Sequence, residues 1–262
     1  MTLSTGGGAG KNAGMDQTPT TFVPDPDAGR VYTARRIVRS TDVTQGGRLR
    51  LDCLARYLQI VAEDDLAEAG LLGQAVWLVR RCTVGVRDFP RMGERIALRT
   101  FCSGTGPRWA ERTTTVSGPG GDLLQATAIW AAVDPGTGRP TRPGESFFAA
   151  YGASAMGRQV SARLSHRRPE AAQPGRAWPL RAADFDTAGH VNNAIVWAAV
   201  EDVLAGVEWL PASAEVEYHR PIQPGATPQL LTSPDGGKPM MWLLDDERVL
   251  ASAVLANSAV RR

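Results

Sequence analysis

The 262-residue chain is 43% hydrophobic and 21% charged, with a formal net charge of +2, the make-up of an ordinary globular protein. So small a net charge gives no electrostatic basis for nucleic-acid binding, and no apolar run is long enough to cross a bilayer as a helix. Three cysteines, Cys53, Cys82 and Cys102, lack metal-ligand spacing; with no charged-then-apolar leader at the start, they are expected as reduced thiols in a cytoplasmic protein.

In chain order, residues 1–28 are rich in Gly, Thr, Pro and Asp without a hydrophobic period, which predicts a disordered tail. Its glycine run is not a phosphate loop, because Thr5 stands where the first glycine belongs and Asn12 where Ser or Thr belongs. A first unit is expected over 29–143. Asp52 should cap a helix reaching about Ala69, with Gly70 as its stop, and Leu54, Leu58 and Val61 fall at helical spacing. Strand-like runs follow over 76–86, 95–101, 109–116 and 123–133, the last two separated by the turn residues 117–122. Arg80, Arg81, Arg87, Arg91, Arg95 and Arg99 crowd this region, as a solvated face or as a docking face for an acidic partner. Residues 144–177 are expected to be a linker, with His166 in solvent. A second unit, 178–262, repeats the order: a helix from Ala194 ending near Ala205 with Gly206 as its stop, then strands over 214–219, 229–232, 240–244 and 249–256, with a turn at Asp235-Gly236-Gly237. His219 is expected to extend its strand and face solvent.

The two units echo each other residue by residue. The stretch 38–49 lies over 180–191 without a gap, so that Arg39 matches Arg181, Asp42 matches Asp184 and Gly47 matches Gly189; the stretch 87–93 lies similarly over 219–225. Thr44 stands where the second copy has Asp186, and Arg48 where it has His190. This predicts a duplication with one chemically live copy and one retired copy. Each unit, a long apolar helix followed by antiparallel strands, is satisfied by a sheet wrapped around a buried helix.

The chemistry concentrates in Asp184-Phe185-Asp186-Thr187-Ala188-Gly189-His190-Val191-Asn192-Asn193, at the mouth of the second helix. A carboxylate can activate water or attack a carbonyl, a glycine lets backbone N–H groups approach a ligand, and a helix N-terminus stabilises developing negative charge. Asp186 is therefore the candidate catalytic acid, with His190 to polarise the carbonyl or hold the water. Backbone groups near Gly189, His190 or Val191 are candidates for the oxyanion site. Asn192 and Asn193 either cap the helix or bind the substrate's amide arm. Asp184, matched by Asp42, is expected to be structural. Cys53, Leu54, Tyr57, Leu58 and Val61 are candidate walls of an acyl pocket, or ordinary core.

The motif and the duplication together resemble the acyl-carrier-protein thioesterases of the plant and bacterial oleoyl type. The resemblance covers roughly 32–256 and is carried by Leu180-Arg181-Ala182-Ala183-Asp184-Phe185-Asp186, by Gly189-His190-Val191-Asn192-Asn193, and by Val216-Glu217-Tyr218-His219-Arg220. It implies an α+β tandem hotdog in which two antiparallel sheets each wrap a long central helix. It further implies a thioesterase that prefers fatty acyl groups on acyl carrier protein, an acidic partner, over acyl-CoA. No metal cluster or nucleotide motif is visible in the sequence, so no metal and no cofactor are expected. Two hotdogs in one chain already satisfy the usual pairing, so a monomer or a homodimer is expected. Two departures stand out: Ala188 replaces the family's catalytic Asn, and Pro221 and Ile222 replace its Glu-Cys pair. An enoyl-thioester hydratase and a non-catalytic acyl-thioester or carrier-protein binding module are the alternatives.

Overall fold

The computed structural model describes residues 22–170, 175–205, 207, 209–233 and 239–257. Most of the glycine-rich tail, Gly206 and the turn at Asp235-Gly236-Gly237 lie outside them. Chain order runs β1 (Tyr32–Ile37), α1 (Leu51–Glu68), β2 (Val76–Val86), β3 (Arg95–Thr105), β4 (Trp109–Gly118), β5 (Gly121–Val133) and α2 (Glu145–Tyr151). It continues with β6 (Arg176–Ala177), α3 (Asn193–Leu204), β7 (Pro211–Tyr218), β8 (Gln229–Thr232), β9 (Met240–Asp245) and β10 (Arg248–Asn257). The strands form one sheet in the order β1-β3-β4-β5-β2-β7-β10-β9-β8-β6. Read inward from either end, the two halves are the same arrangement, and they meet where β2 runs antiparallel to β7, with Cys82 opposite Val216. The fold is a tandem hotdog, as the resemblance implied, with the two expected antiparallel sheets joined edge to edge into one.

Both long helices pack into one core. Leu54, Leu58 and Val61 of α1 and Ile195, Val196, Ala199 and Val200 of α3 belong to a single buried cluster with Val84, Val216 and Ala253 from the strands. The helix stripe at i, i+4, i+7 therefore marks the face turned to the partner helix and the sheet.

The duplication holds bond by bond. In each copy the Arg backbone N–H donates to the Asp three residues on, from Arg39 to Asp42 and from Arg181 to Asp184. In each, a tight turn is closed by paired bonds: Thr44 N–H to Arg48 and Gly47 N–H to Thr44, against Asp186 N–H to His190 and Gly189 N–H to Asp186. The two glycines adopt φ of +77° and +75°, the left-handed region where a Cβ is penalised. Leu49 N–H reaches Pro90 as Val191 N–H reaches Ile222, so the 87–93 and 219–225 loops also correspond.

Three expectations are corrected. Asp52 is not the cap of α1: Arg50 holds that position, and Asp52 is buried inside the first turn between Arg50 and Arg56. Residues 22–28 are not a free tail. Val23 exchanges two hydrogen bonds with the Gln125 side chain, Asp25 pairs with Arg99, and Phe22 lies under Arg87. The 144–177 stretch is more than a linker, since it contains α2, whose Phe147 packs against Trp77, and a strap tied across the sheet.

The two units are locked together at the retired turn. Arg48 donates to both oxygens of Glu201 on α3, at 2.8 and 2.7 Å, and both side chains are about nine-tenths buried. Removing one partner of such a pair strands a buried charge. Glu201→Ala should lower the unfolding free energy by about 3 kcal/mol, read as a shift in the urea midpoint, and the double variant Arg48→Met/Glu201→Leu should recover most of it. A double variant as unstable as the single would contradict this account.

Candidate active site

The turn of the second copy and the start of α3 build the candidate site. Gly189 and His190 bring the chain round so that Phe185 pairs with Val191, whose side chain is buried. Asn192 is the N-cap of α3: its Oδ1 accepts the Ala194 N–H at 2.9 Å, and its Nδ2 donates to Gln59 of α1 at 3.3 Å. Asn193 is the first helical residue, and its carbonyl accepts the Tyr218 hydroxyl at 3.1 Å. Asp184 is buried and held by Arg181, the structural role expected of it. Asp186 is half-buried, and its Oδ1 accepts the Ala188 N–H at 2.9 Å. Among the described residues no donor reaches its other oxygen, and none bonds the His190 ring.

Two of the three backbone groups expected from sequence as oxyanion donors are already spent. Gly189 N–H is bound to Asp186 and Val191 N–H to Ile222. By contrast, the N–H groups of His190 and Asn193 find no acceptor among the described residues. The retired copy shows what such a group can hold. Leu51, the counterpart of Asn193, donates its N–H at 2.6 Å to the carboxylate of Glu201. Gln59 is the counterpart of Glu201 on α1, and it turns to the Asn192 side chain instead. The same helix start is thus filled by an anionic oxygen in one copy and left open in the other.

Asp186, Ala188, His190, Val191 and Asn193 all line one cavity of about 610 Å³. Leu66, Leu71, Leu72, Trp77, Trp130 and Phe147 give it apolar walls. The predicted wall of Cys53, Leu54, Tyr57, Leu58 and Val61 is corrected: none of these lines it. α1 instead contributes Gln59, Ala62, Glu63 and Leu66, one face further round the helix. Cys53, Leu54, Leu58 and Val61 are sealed in the core, and the Tyr57 hydroxyl donates to Asp42 at 2.6 Å. Pro221 and Ile222, which replace the family's Glu-Cys pair, also line the cavity. Cys102 is the cysteine that lines the cavity, and burial raises its thiol pKa, which disfavours a thiolate there; Cys53 and Cys82 lie outside the lining.

Two histidines depart from expectation. His166 is not in solvent: its side chain is only 5% exposed, with Nδ1 sharing a hydrogen bond with Ser252 and Nε2 one with Glu215, at 2.9 and 3.1 Å. His219 does not face solvent either. It lines the cavity, and its Nε2 shares a 2.9 Å hydrogen bond with the same Ser252 hydroxyl. The signal that could have found them is the pair Glu215 and Glu217 on a central strand, since buried acids require partners. His166, Glu215 and Glu217 lie close enough to hold a metal, but each of their carboxylate oxygens already accepts a hydrogen bond from the protein. Glu217 accepts the backbone N–H groups of Ser165 and His166, and Glu215 accepts Thr83 and His166.

Family models for the acyl-ACP thioesterase N-terminal and C-terminal domains match residues 29–151 and 168–247. The chain belongs to the acyl-ACP thioesterase family. It is 30% identical over 207 residues to the uncharacterised protein Rv2001 of Mycobacterium tuberculosis, covering 78% of this chain and 83% of that one. It is 26% identical over 120 residues to the chloroplastic palmitoyl-acyl carrier protein thioesterase of Gossypium hirsutum, covering 40% of this chain and 29% of that one. Among solved structures, the 12:0-ACP thioesterase of Umbellularia californica superposes with a TM-score of 0.74 at 18% identity, over 87% of this chain and 97% of that one. An acyl-ACP thioesterase of Bacteroides thetaiotaomicron does so at 0.72 and 16%, over 87% and 98%. Family membership places the chain among thioester hydrolases.

The half-buried His219 has a thermodynamic signature. Burial lowers the His219 pKa below its ordinary 6.5, helped by His166, Arg80 and Arg168 and opposed by Glu217. A histidine kept neutral in the fold stabilises it fully above about pH 6.5 and progressively less as pH falls through its depressed pKa. The unfolding free energy of the wild type minus that of His219→Gln should therefore be flat above about pH 7 and shrink below about pH 6.5. Chemical denaturation across this range checks it, and a difference that stays flat would contradict it.

Proposed function

We propose that the protein hydrolyses fatty acyl thioesters, acyl carrier protein ahead of acyl-CoA as the thiol carrier, with Asp186 as the catalytic residue. The observation that carries this reading is the shared wall: the free oxygen of Asp186, the His190 ring and the open start of α3 all belong to one largely apolar cavity. Family membership supports the carrier-protein preference.

The chemistry follows from that geometry. Asp186 takes a proton from water, or attacks the thioester carbonyl itself. Negative charge developing on the carbonyl oxygen is met by the Asn193 and His190 N–H groups, with the dipole of α3 behind them. Collapse breaks the C–S bond, and the leaving thiolate takes the proton that water gives up, so that one thioester and one water become free thiol and fatty acid, directly or by hydrolysis of the Asp186 anhydride. Ala188 and Pro221 remove two side chains the family uses, and Ala188 holds Asp186 through its backbone N–H.

Asp186→Asn should lower kcat about 10³-fold on acyl-carrier-protein substrates while the melting temperature stays within a few degrees. Thiol release from a carrier-protein, CoA and pantetheine panel reads it directly. Saturable binding without release, unaltered in Asp186→Asn, would instead favour the binding-module alternative.

Asn193 offers a sharper test. Proline is well tolerated at the first helical position, and Asn192 before it is extended, at φ −60° and ψ 139°, as a residue preceding proline must be. Asn193→Pro therefore deletes the N–H and spares the helix. It should cost roughly 10²-fold in kcat, with Asn193→Ala, which keeps the N–H, far closer to wild type. Equal losses in the two variants would remove the N–H from the mechanism.

A further inference from the structure

A second cavity, about 320 Å³, lies beside the first. Arg80, Arg167, Arg168, Arg220 and Arg248 line it, Glu247 is its single carboxylate, and His166 and His219 are its other titratable groups. Arg80, His219 and Arg220 line both cavities, so the basic space adjoins the one that holds Asp186.

The positive charge there is largely unspent. Among the described residues Arg168, Arg220 and Arg248 have no carboxylate partner, and Arg167 reaches Glu170 only at 3.5 Å. Arg80 sits at a bulge, the residue left over where Val79 faces Trp130 and Arg81 faces Ile129. Bulges re-aim side chains, and this guanidinium donates to the carbonyls of Tyr218 and His219 rather than to an acid. Behind burial, the main cause, Arg80 and Arg168 also disfavour a proton on His219. Arginine forks match phosphate oxygens in geometry as well as charge.

The two cavities together have the layout of an amphipathic ligand, with apolar walls at one end, arginines at the other and the reacting carboxylate on the apolar side. A thioester of phosphopantetheine has that order: acyl chain, thioester, amide arm, phosphate. We infer that the arginine-lined cavity binds the phosphate of the phosphopantetheine arm. This rests on the thioesterase reading above. The phosphate is common to the arm on a carrier protein and to the arm within CoA.

The test compares acyl-pantetheine, which lacks the phosphate, with acyl-4′-phosphopantetheine, acyl-CoA and acyl carrier protein, on wild type and on Arg168→Ala/Arg248→Ala. Both arginines are exposed and line only the second cavity, so the fold should tolerate their loss. The wild type should favour acyl-4′-phosphopantetheine over acyl-pantetheine in KM. The double variant should raise KM about tenfold for the phosphate-bearing substrates relative to acyl-pantetheine, with kcat little changed. A wild type indifferent to the phosphate, or a variant that loses equally on acyl-pantetheine, overturns the inference. So does a loss confined to acyl-CoA, which would assign these arginines to the nucleotide phosphates. Direct titration with 4′-phosphopantetheine and with pantetheine separates this inference from the reading beneath it. If no thioester is cleaved but the variant weakens 4′-phosphopantetheine binding alone about tenfold, the phosphate site stands and the hydrolase reading falls.

Discussion

The antiparallel pairing of β2 with β7 constrains everything else in the molecule. It joins two half-sheets into one surface and relates the two units by an approximate twofold axis. The two apolar helices are thereby forced against each other in one core, and each lies beside the start of the other. One pairing thus creates two equivalent places where a helix start, a tight turn and a side chain from the other unit meet.

What differs between the two places is a handful of side chains. At the first, Arg48 and Glu201 close on each other, and the carboxylate takes the Leu51 N–H as well. That copy has become a joint between the units. At the second, His190 and Gln59 stand in the corresponding positions, and neither occupies the Asn193 N–H. Asp186 replaces Thr44, and its carboxylate keeps one oxygen without a protein donor among the described residues. Under the proposed function, a duplicated frame divides stabilisation and chemistry between its copies. The bond-by-bond correspondence explains why the two functions need no difference in backbone.

Much of this was legible in the sequence, for physical reasons that also explain what was not. Gly47 and Gly189 announce the same left-handed turn, and Arg39/Asp42 and Arg181/Asp184 the same local bonds, so the echo pointed to the duplication and the motif to the site. Strand positions followed from apolar alternation and from turn residues. The cavity wall was misplaced because an apolar stripe on α1 marks the face that meets α3, whereas the face lining the cavity includes Gln59 and Glu63 and looks solvent-exposed. His166 was misplaced because the segment around it has no periodicity of its own; its burial comes from Glu215, Glu217 and Ser252, brought to it by the sheet. Arg80 was submerged in a run of arginines, and a bulge that singles out one residue leaves little trace in a strand pattern.

The central claim is that the two helix starts, alike in backbone, differ in being open or filled by an anionic oxygen. Amide NMR of the deuterated protein, titrated with a fatty acid whose carboxylate mimics the charged oxygen, tests it most directly. The account predicts that the Asn193 amide proton moves downfield as the ligand saturates while that of Leu51, already bonded to Glu201, holds its place. An unmoved Asn193 at saturation, or equal shifts at both residues, would contradict it.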